Sequence, residues 1–269
     1  MTKTIVITGS STGLGRATSL LFASKGWTVI ATMRNPAKDT ELSRVAGISV
    51  MPLDVTQPAQ IAETAAAALK LGPVDVLFNN AGYGLAGAFE GATDAQIVDE
   101  INTNLLGVMR VTRAFLPAMR ERGAGVILTT TSIGGLVTFP FNSVYHATKW
   151  GLEGWSESLA FELEPFGIRV KTIAPGGIAT DFAGRSLVMT PHPAYMAAIN
   201  KAVSVFSDPA RRATGSTPEQ IAEEVYATVT DESDRVTHVA GGDARATYAR
   251  RLAVGVEAFR AGVRAMFLG

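Results

Sequence analysis

Cysteine is absent from the 269-residue chain. Disulfides, thiolate nucleophiles and cysteine-ligated metals are excluded with it. Histidine is scarce. His146, His192 and His238 are the three present, and their scatter fits no metal-ligand spacing. Each reads as a surface or packing residue. Net charge is lacking too, with a formal balance of zero, so no basic face for nucleic acid is expected. No apolar run approaches the length of about 18 residues that a membrane span needs. Met1-Thr2-Lys3 leads straight into an apolar run, without the long apolar region and cleavage site of a signal peptide. The expectation is a cytoplasmic protein with no membrane partner. Repeats, linkers and low-complexity segments are also lacking.

What is present is alternation. Apolar, β-rich runs stand at 4–8, 27–33, 48–53, 74–78, 125–131, 168–174 and 236–239. Helical patterns lie between them near 13–25, 57–71, 94–121, 143–165 and 217–230. Such alternation predicts an α/β fold with a parallel sheet and helices on both faces. Right-handed crossovers make it doubly wound. With 47% hydrophobic residues, the chain can bury one sizeable core, and a single domain over 1–269 is expected. The stretch 181–216 is long for a plain connection and is expected to be functional.

Tyr145 and Lys149 sit four apart in Tyr145-His146-Ala147-Thr148-Lys149. On a helix that spacing stacks the ammonium beside the phenol. A cation there is expected to lower the phenol pKa by roughly 1–3 units, tuning it to exchange a proton with an alcohol or ketone. Ser132 follows the run Gly125–Thr131, and its hydroxyl could donate to a substrate oxygen. At the other end of the chain, Ile5-Val6-Ile7 is followed by Thr8-Gly9-Ser10-Ser11-Thr12-Gly13-Leu14-Gly15 and then a helical pattern. Strand, glycine turn and helix is the setting of a dinucleotide loop. Glycines admit a pyrophosphate close to the backbone, and the helix N-terminus offers free N–H groups. The spacing is G-x-x-x-G-x-G.

These motifs, with Asn79-Asn80-Ala81-Gly82, Asn104 in Thr103-Asn104-Leu105-Leu106-Gly107, and Pro175-Gly176 followed by Thr180, resemble those of the short-chain dehydrogenase/reductase family. The resemblance runs from Lys3 to about Val239. Arg34-Asn35-Pro36 and Asn80-Ala81-Gly82-Tyr83-Gly84 look similar to its 17β-hydroxysteroid-dehydrogenase-like group. The resemblance implies a Rossmann fold with strand order 3-2-1-4-5-6-7. It implies Tyr145 as general acid/base, Lys149 as its tuner and a holder of the nicotinamide ribose, and Ser132 as the group orienting the substrate oxygen. Asn104 would hold a water linking Lys149 to solvent. Gly9, Ser11, Thr12, Gly13, Leu14 and Gly15 would cradle the pyrophosphate. Asp54 and Val55 would meet the adenine, although Asp54 could equally be a helix-start carboxylate near Thr56. Asn80, Ala81 and Gly82 would line the cofactor, while Asn79 could tie the sheet together. Pro175, Gly176, Ile178 and Thr180 would approach the nicotinamide.

NAD-binding folds place an acid about 20 positions after the glycine loop, and Arg16 to Lys38 contains none. Arg34 stands where a guanidinium could grip a 2′-phosphate. NADP is therefore the expected cofactor, with NAD the alternative. Thr12 stands where many NADP-binding relatives carry a basic residue. Leu85, Phe89, Phe139 and Phe141 flank the catalytic segments. The 181–216 stretch adds Phe182, Leu187, Val188, Met189, Tyr195, Met196, Ile199 and Phe206. These residues either form a lid over a hydrophobic ketone or alcohol, or pack the lid's own helices. The helical patterns 94–121 and 143–165 carry apolar faces that the resemblance pairs across a twofold axis, giving a homodimer or homotetramer. They could instead face the sheet. Two competing readings are a catalytically silent NADP-sensing protein and a different enzyme on the same fold, such as a sugar-nucleotide epimerase or dehydratase. The latter usually runs on well past strand seven, and this chain is expected to end soon after it.

Overall fold

The computed structural model describes residues 2–179 and 186–269. Seven strands form one parallel sheet. They are β1 (Thr4–Thr8), β2 (Thr28–Met33), β3 (Ile48–Pro52), β4 (Val76–Asn79), β6 (Gly125–Thr130), β7 (Ile168–Pro175) and β9 (Thr237–Ala240). Their order is β3-β2-β1-β4-β6-β7-β9. The remaining two strands, β5 (Gly84–Gly87) and β8 (Leu187–Thr190), pair with each other in a separate small sheet. With those set aside, the order is the expected 3-2-1-4-5-6-7.

The alternating pleat sends β1 side chains to two different cores. Ile5 and Ile7 join a cluster with Leu14, Ala17 and Phe22 of α1 (Gly13–Ser24) and with Ile221 and Val225 of α8 (Pro218–Thr230). Val6 joins the opposite cluster. There it meets Ile61 and Ala65 of α2 (Pro58–Lys70), Val111 and Phe115 of α4 (Gly107–Arg122), and Leu159 and Leu163 of α5 (Ser143–Leu163). Each fully buried phenylalanine, such as Phe22, Phe78 or Phe115, contributes about 1.5–3 kcal/mol by leaving water. Helices therefore cover both faces, and the strand ends stay free to carry chemistry.

The helix expected over 94–121 is not continuous. α3 (Asp94–Ile101), opened by a reciprocal Thr93–Gln96 capping box, runs into a π-helical turn at Asn102–Leu106 before α4 begins. One extra residue per turn rotates the helix face, a feature frequent at functional sites. α4 buries an apolar stripe, whereas α3 buries only Glu100.

The second correction lies at the end of the chain. Past β9 come α9 (Gly242–Val254) and α10 (Val256–Phe267), so the chain does not end soon after strand seven. Both helices are rich in alanine and arginine and largely exposed, with Ala244, Phe259 and Phe267 as their buried residues. That leaves little periodic signal in α9, whereas α10 is clearly amphipathic. Between β8 and α8 stand α6 (Met196–Phe206) and α7 (Pro209–Arg212). Phe139, Phe206 and Phe267 form a triangle with centroids 4.8 to 5.9 Å apart. The Arg211 guanidinium lies 5.4 to 5.7 Å from all three rings.

Candidate active site

The glycine loop, Asn80-Ala81-Gly82, Ser132 and Pro175-Gly176 lie at carboxyl ends of sheet strands, while Asn104 sits in the π turn and Tyr145 and Lys149 on α5. At β1 the loop is fastened to the end of β4. Thr8 Oγ1 accepts from the Asn80 and Ala81 amides at 2.9 and 3.0 Å. Asn80 Nδ2 donates to the Thr8 and Gly9 carbonyls at 3.1 and 3.2 Å. Gly9 has φ +70, and a Cβ there would sit 2.9 Å from Ala81 Cα. At Gly15 a Cβ would meet the Gly9 carbonyl oxygen at 2.3 Å. Both positions therefore require glycine. Thr12 is the N-cap of α1, yet its side chain does not cap, and the first turn holds no acid. Ser11 and Thr12 are exposed. The amides of that turn are thus presented outward, a cradle that suits a pyrophosphate.

Arg34 is exposed at the end of β2 and makes no side-chain hydrogen bond or ion pair among the described residues. Arg16, by contrast, is gripped by Glu41 through bonds of 2.6 and 2.5 Å. Asp39 and Glu41 follow directly on the acid-free stretch from Arg16 to Lys38. At the end of β3, Asp54 Oδ1 accepts from the Thr56 amide and hydroxyl at 2.9 and 2.7 Å, the turn role allowed for it, and Val55 is buried. Asn79 donates to Thr112 Oγ1 at 2.9 Å, tying the sheet to α4. At the end of β7, the Gly177 amide donates to Asp243 Oδ2 at 2.7 Å, and Ile178 bridges to Ser216. Asp243, at the start of α9, thereby holds the Pro175-Gly176 turn from beneath, and no local sequence pattern announced it. Thr180 and Phe182 lie outside the described residues.

Ser132, Tyr145, Lys149 and Asn104 converge between β4, β6 and α5. Ser132 Oγ accepts from the Gly134 amide at 3.0 Å and lies close enough to the Tyr145 phenol to oppose its upward shift. Lys149 is buried. Its Nζ donates to the Thr130 carbonyl at 2.9 Å and stands 5.7 Å from the centre of the Tyr145 ring. Asn104, in the π turn, donates to the Tyr83 carbonyl at 2.7 Å and accepts from the Tyr83 amide at 3.0 Å. Glu153, four residues after Lys149, is buried and accepts hydrogen bonds from Thr131, Thr172 and Thr237. It lashes α5 to β7, β9 and the residue just past β6.

The tuning expected of Lys149 is not what this site shows. Burial pushes the Tyr145 phenol up to about 12, opposed by Ser132 and reinforced by the charge of Glu100. Burial likewise brings Lys149 down to about 8, against the pull of Glu100 and Glu153. Spacing placed the ammonium beside the phenol, but desolvation is the largest influence on each group. The phenol is consequently a proton donor across the neutral range.

The loop from Ser132 to Tyr145 is stiffened on purpose. Phe141 has φ 61, a left-handed conformation costing a bulky residue about 1–2 kcal/mol, and its carbonyl accepts from Gly87 at 2.8 Å. His146 is buried, with Nδ1 2.5 Å from the Gly134 carbonyl and Nε2 accepting from the Phe139 amide at 3.1 Å. It is a packing residue, as expected. Burial lowers its pKa, so the folded state holds it neutral. Its contribution to stability is present above its ordinary value of about 6.5 and is lost as pH falls through the lowered folded value. Exchanging it for asparagine should cost roughly 1–3 kcal/mol through an unpaired buried group and flatten the acid limb of Tm against pH. A variant as acid-sensitive as the parent in thermal melts would contradict this role.

Leu85 is buried, whereas Phe89 is 63% exposed and presents open apolar surface. Phe139 and Phe206 pack against each other and Phe267. The packing alternative holds for these two.

The family model for short chain dehydrogenases matches residues 3–188. The chain belongs to that family. Human retinol dehydrogenase 8 is 38% identical over 194 residues, which cover 69% of this chain and 62% of that protein. A crystal structure of a short-chain dehydrogenase from Streptomyces avermitilis superposes with a TM-score of 0.83 at 33% identity, covering 98% of this chain and 96% of that one. ElxO with NADP bound superposes with a TM-score of 0.74 at 27% identity, covering 89% and 96%. The chain is thus an oxidoreductase of a family that works with NAD(P), and among the described residues no helix is long and apolar enough to cross a membrane.

Proposed function

We propose that this oxidoreductase uses NADP to interconvert a hydrophobic secondary alcohol and its ketone, with Tyr145 as the general acid/base. The observation that carries the reading is the convergence of Ser132, Tyr145 and Lys149 beside a glycine cradle that a single Cβ would fill. The cofactor fits the residues present. Gly9, Ser11, Thr12, Gly13, Leu14 and Gly15 would hold its pyrophosphate, Arg34 its 2′-phosphate, and Asp54 and Val55 its adenine. Asn80, Ala81, Gly82, Lys149, Pro175, Gly176, Ile178 and Thr180 would hold the nicotinamide half. When bound, it supplies or accepts the hydride. Ser132 orients the carbonyl oxygen and stabilises the charge that develops there. Tyr145 then delivers the proton, and Asn104 fixes the turn beside Lys149.

The segment 181–216 serves as a lid in this reading. Half-exposed Val188, Met189, Tyr195 and Met196 offer the apolar surface that a substrate would meet, and ElxO's NADP and the retinol of the human relative point the same way. We place the enzyme in the cytoplasm as a homodimer or homotetramer. Exposed Leu106, Trp150 and Phe161 supply apolar surface for such pairing, and a one-chain mass in light scattering would remove that part.

The decisive test follows NADPH absorbance with a panel of hydrophobic and small polar ketones. Turnover confined to the hydrophobic members is expected. Tight NADPH binding without turnover on any ketone would move the chain to the silent, NADP-sensing reading.

A further inference from the structure

Asp243 stands in the first turn of α9, and its carboxylate is pressed against the backbone of the turn that follows β7. Oδ2 accepts from the Gly177 amide at 2.7 Å. Oδ1 is buried and has no hydrogen-bond partner among the described residues. Glycines make the room. A Cβ at Gly176 would collide with both carboxylate oxygens, and one at Gly241, whose φ is +88, would stand 3.0 Å from Oδ1. A buried polar atom left unpaired needs a reason.

Holding the turn does not supply one. The Gly176 amide donates to the Ala240 carbonyl at 3.2 Å, the Ser216 amide to the Gly177 carbonyl at 2.9 Å, and the Ala179 amide to the Ser216 carbonyl at 2.8 Å. These backbone bonds tie the turn to β9 and to the segment before α8. A neutral oxygen would serve the Gly177 amide as well. What a carboxylate adds is a full negative charge, which the N-terminal end of α9 favours. The cations that feel this charge are Arg211 and Arg245. Arg245 is gripped by Glu224 through bonds of 2.8 and 2.9 Å. Arg211 lies over the rings of Phe139, Phe206 and Phe267. Neither makes a salt bridge to Asp243 among the described residues.

We propose that Asp243 discriminates between the two oxidation states of the cofactor, holding NADP+ more tightly than NADPH. The proposal rests on the NADP reading above, with the nicotinamide half at Pro175-Gly176. An oxidised nicotinamide ring carries a positive charge, and a reduced ring is neutral. A carboxylate packed against Gly176 attracts the first and is indifferent to the second. Its pull also grows as the ring gives up hydride, so Asp243 favours donation to a ketone without touching the substrate. Charges a few ångströms apart at a partly buried site change affinity by about tenfold. A tenfold shift moves a two-electron couple by about 30 mV, and Asp243 moves the bound couple downward.

The test measures NADP+ and NADPH affinities by calorimetry in wild type, Asp243→Asn and Asp243→Ser. Asp243→Asn keeps an acceptor for Gly177 and loses the charge. Its NADP+ affinity should fall about tenfold while NADPH stays within about twofold of wild type, raising the bound couple by about 30 mV. Asp243→Ser removes the charge with a smaller side chain and should shift the ratio of the two affinities the same way. It carries the test if Asp243→Asn melts early. Equal loss of both cofactors, which a purely structural brace would give, overturns the proposal. So does an unchanged ratio in a folded variant. A wild type that binds neither cofactor fails the NADP reading and this inference together, whereas binding of both with an unshifted ratio fails this inference alone.

Discussion

Replacing Tyr145 by phenylalanine should lower ketone reduction by at least about 100-fold, the lower range for losing a positioned acid or base. The substitution removes one hydroxyl and keeps the ring. The ring's packing is retained, with its centroid 6.1 Å from that of His146 and 5.7 Å from the Lys149 ammonium. Fold and cofactor affinity should therefore change little. Ser132 keeps its bond from the Gly134 amide, so the loop should hold its shape. A phenol held near 12 by burial is protonated throughout the neutral range, which suits donation in reduction. For the reverse reaction the phenolate must form first, so alcohol oxidation should climb with pH where reduction does not. Initial rates in both directions, with melting temperature as a control, decide the matter. Turnover within a few-fold of wild type in a folded Tyr145→Phe protein would remove Tyr145 from the mechanism.

The sheet was legible because its strands are short, β-branched and buried on both faces. Ile5-Val6-Ile7 is such a run, and a parallel sheet covered on both sides demands it. The site was legible in part for the same reason. Strand ends set the positions of Gly9, Asn80, Ser132 and Pro175, so motif order along the chain translated into proximity. What escaped has physical causes. The π turn at Asn102 rotates Asn104 toward Tyr83, and α3 before it buries only Glu100. The helix α9 buries too few apolar residues to show a period, whereas α10 is amphipathic and its period was there to be read. Glu100 is four residues before Asn104 and Glu153 four after Lys149, so both spacings were visible, but nothing local said that these carboxyls would be buried. Burial also reversed the expected direction of the Tyr145 shift. Desolvation depends on every atom packed around a group, whereas spacing reports only one neighbour.

Arg34→Ala should weaken NADPH binding by about 10- to 150-fold and leave NADH nearly unchanged. A broken charged hydrogen bond typically costs roughly 1.5–3 kcal/mol, which converts to that range. Exposure of Arg34 argues for the lower half, since solvent screens a surface charge. The side chain is suited to the role by what surrounds it. It projects from the end of β2, beside the glycine loop that follows β1, and no partner among the described residues competes for it. A phosphate monoester brings about −1.5 to −2 charges, and the guanidinium meets it with a planar donor fork. Arg16 is another cation after the loop, but Glu41 already holds it through two bonds. Glu41→Gln should thus free Arg16 and strengthen NADPH binding, whereas Met33→Asp with Arg34→Ala should turn preference toward NADH by repelling the 2′-phosphate and accepting from the 2′-hydroxyl. Cofactor fluorescence titrations on the three variants measure these shifts directly. Equal weakening of both cofactors in Arg34→Ala, or equal affinity for both in wild type, would show that Arg34 does not select the cofactor, and exposed Lys38 would be the next cation to test.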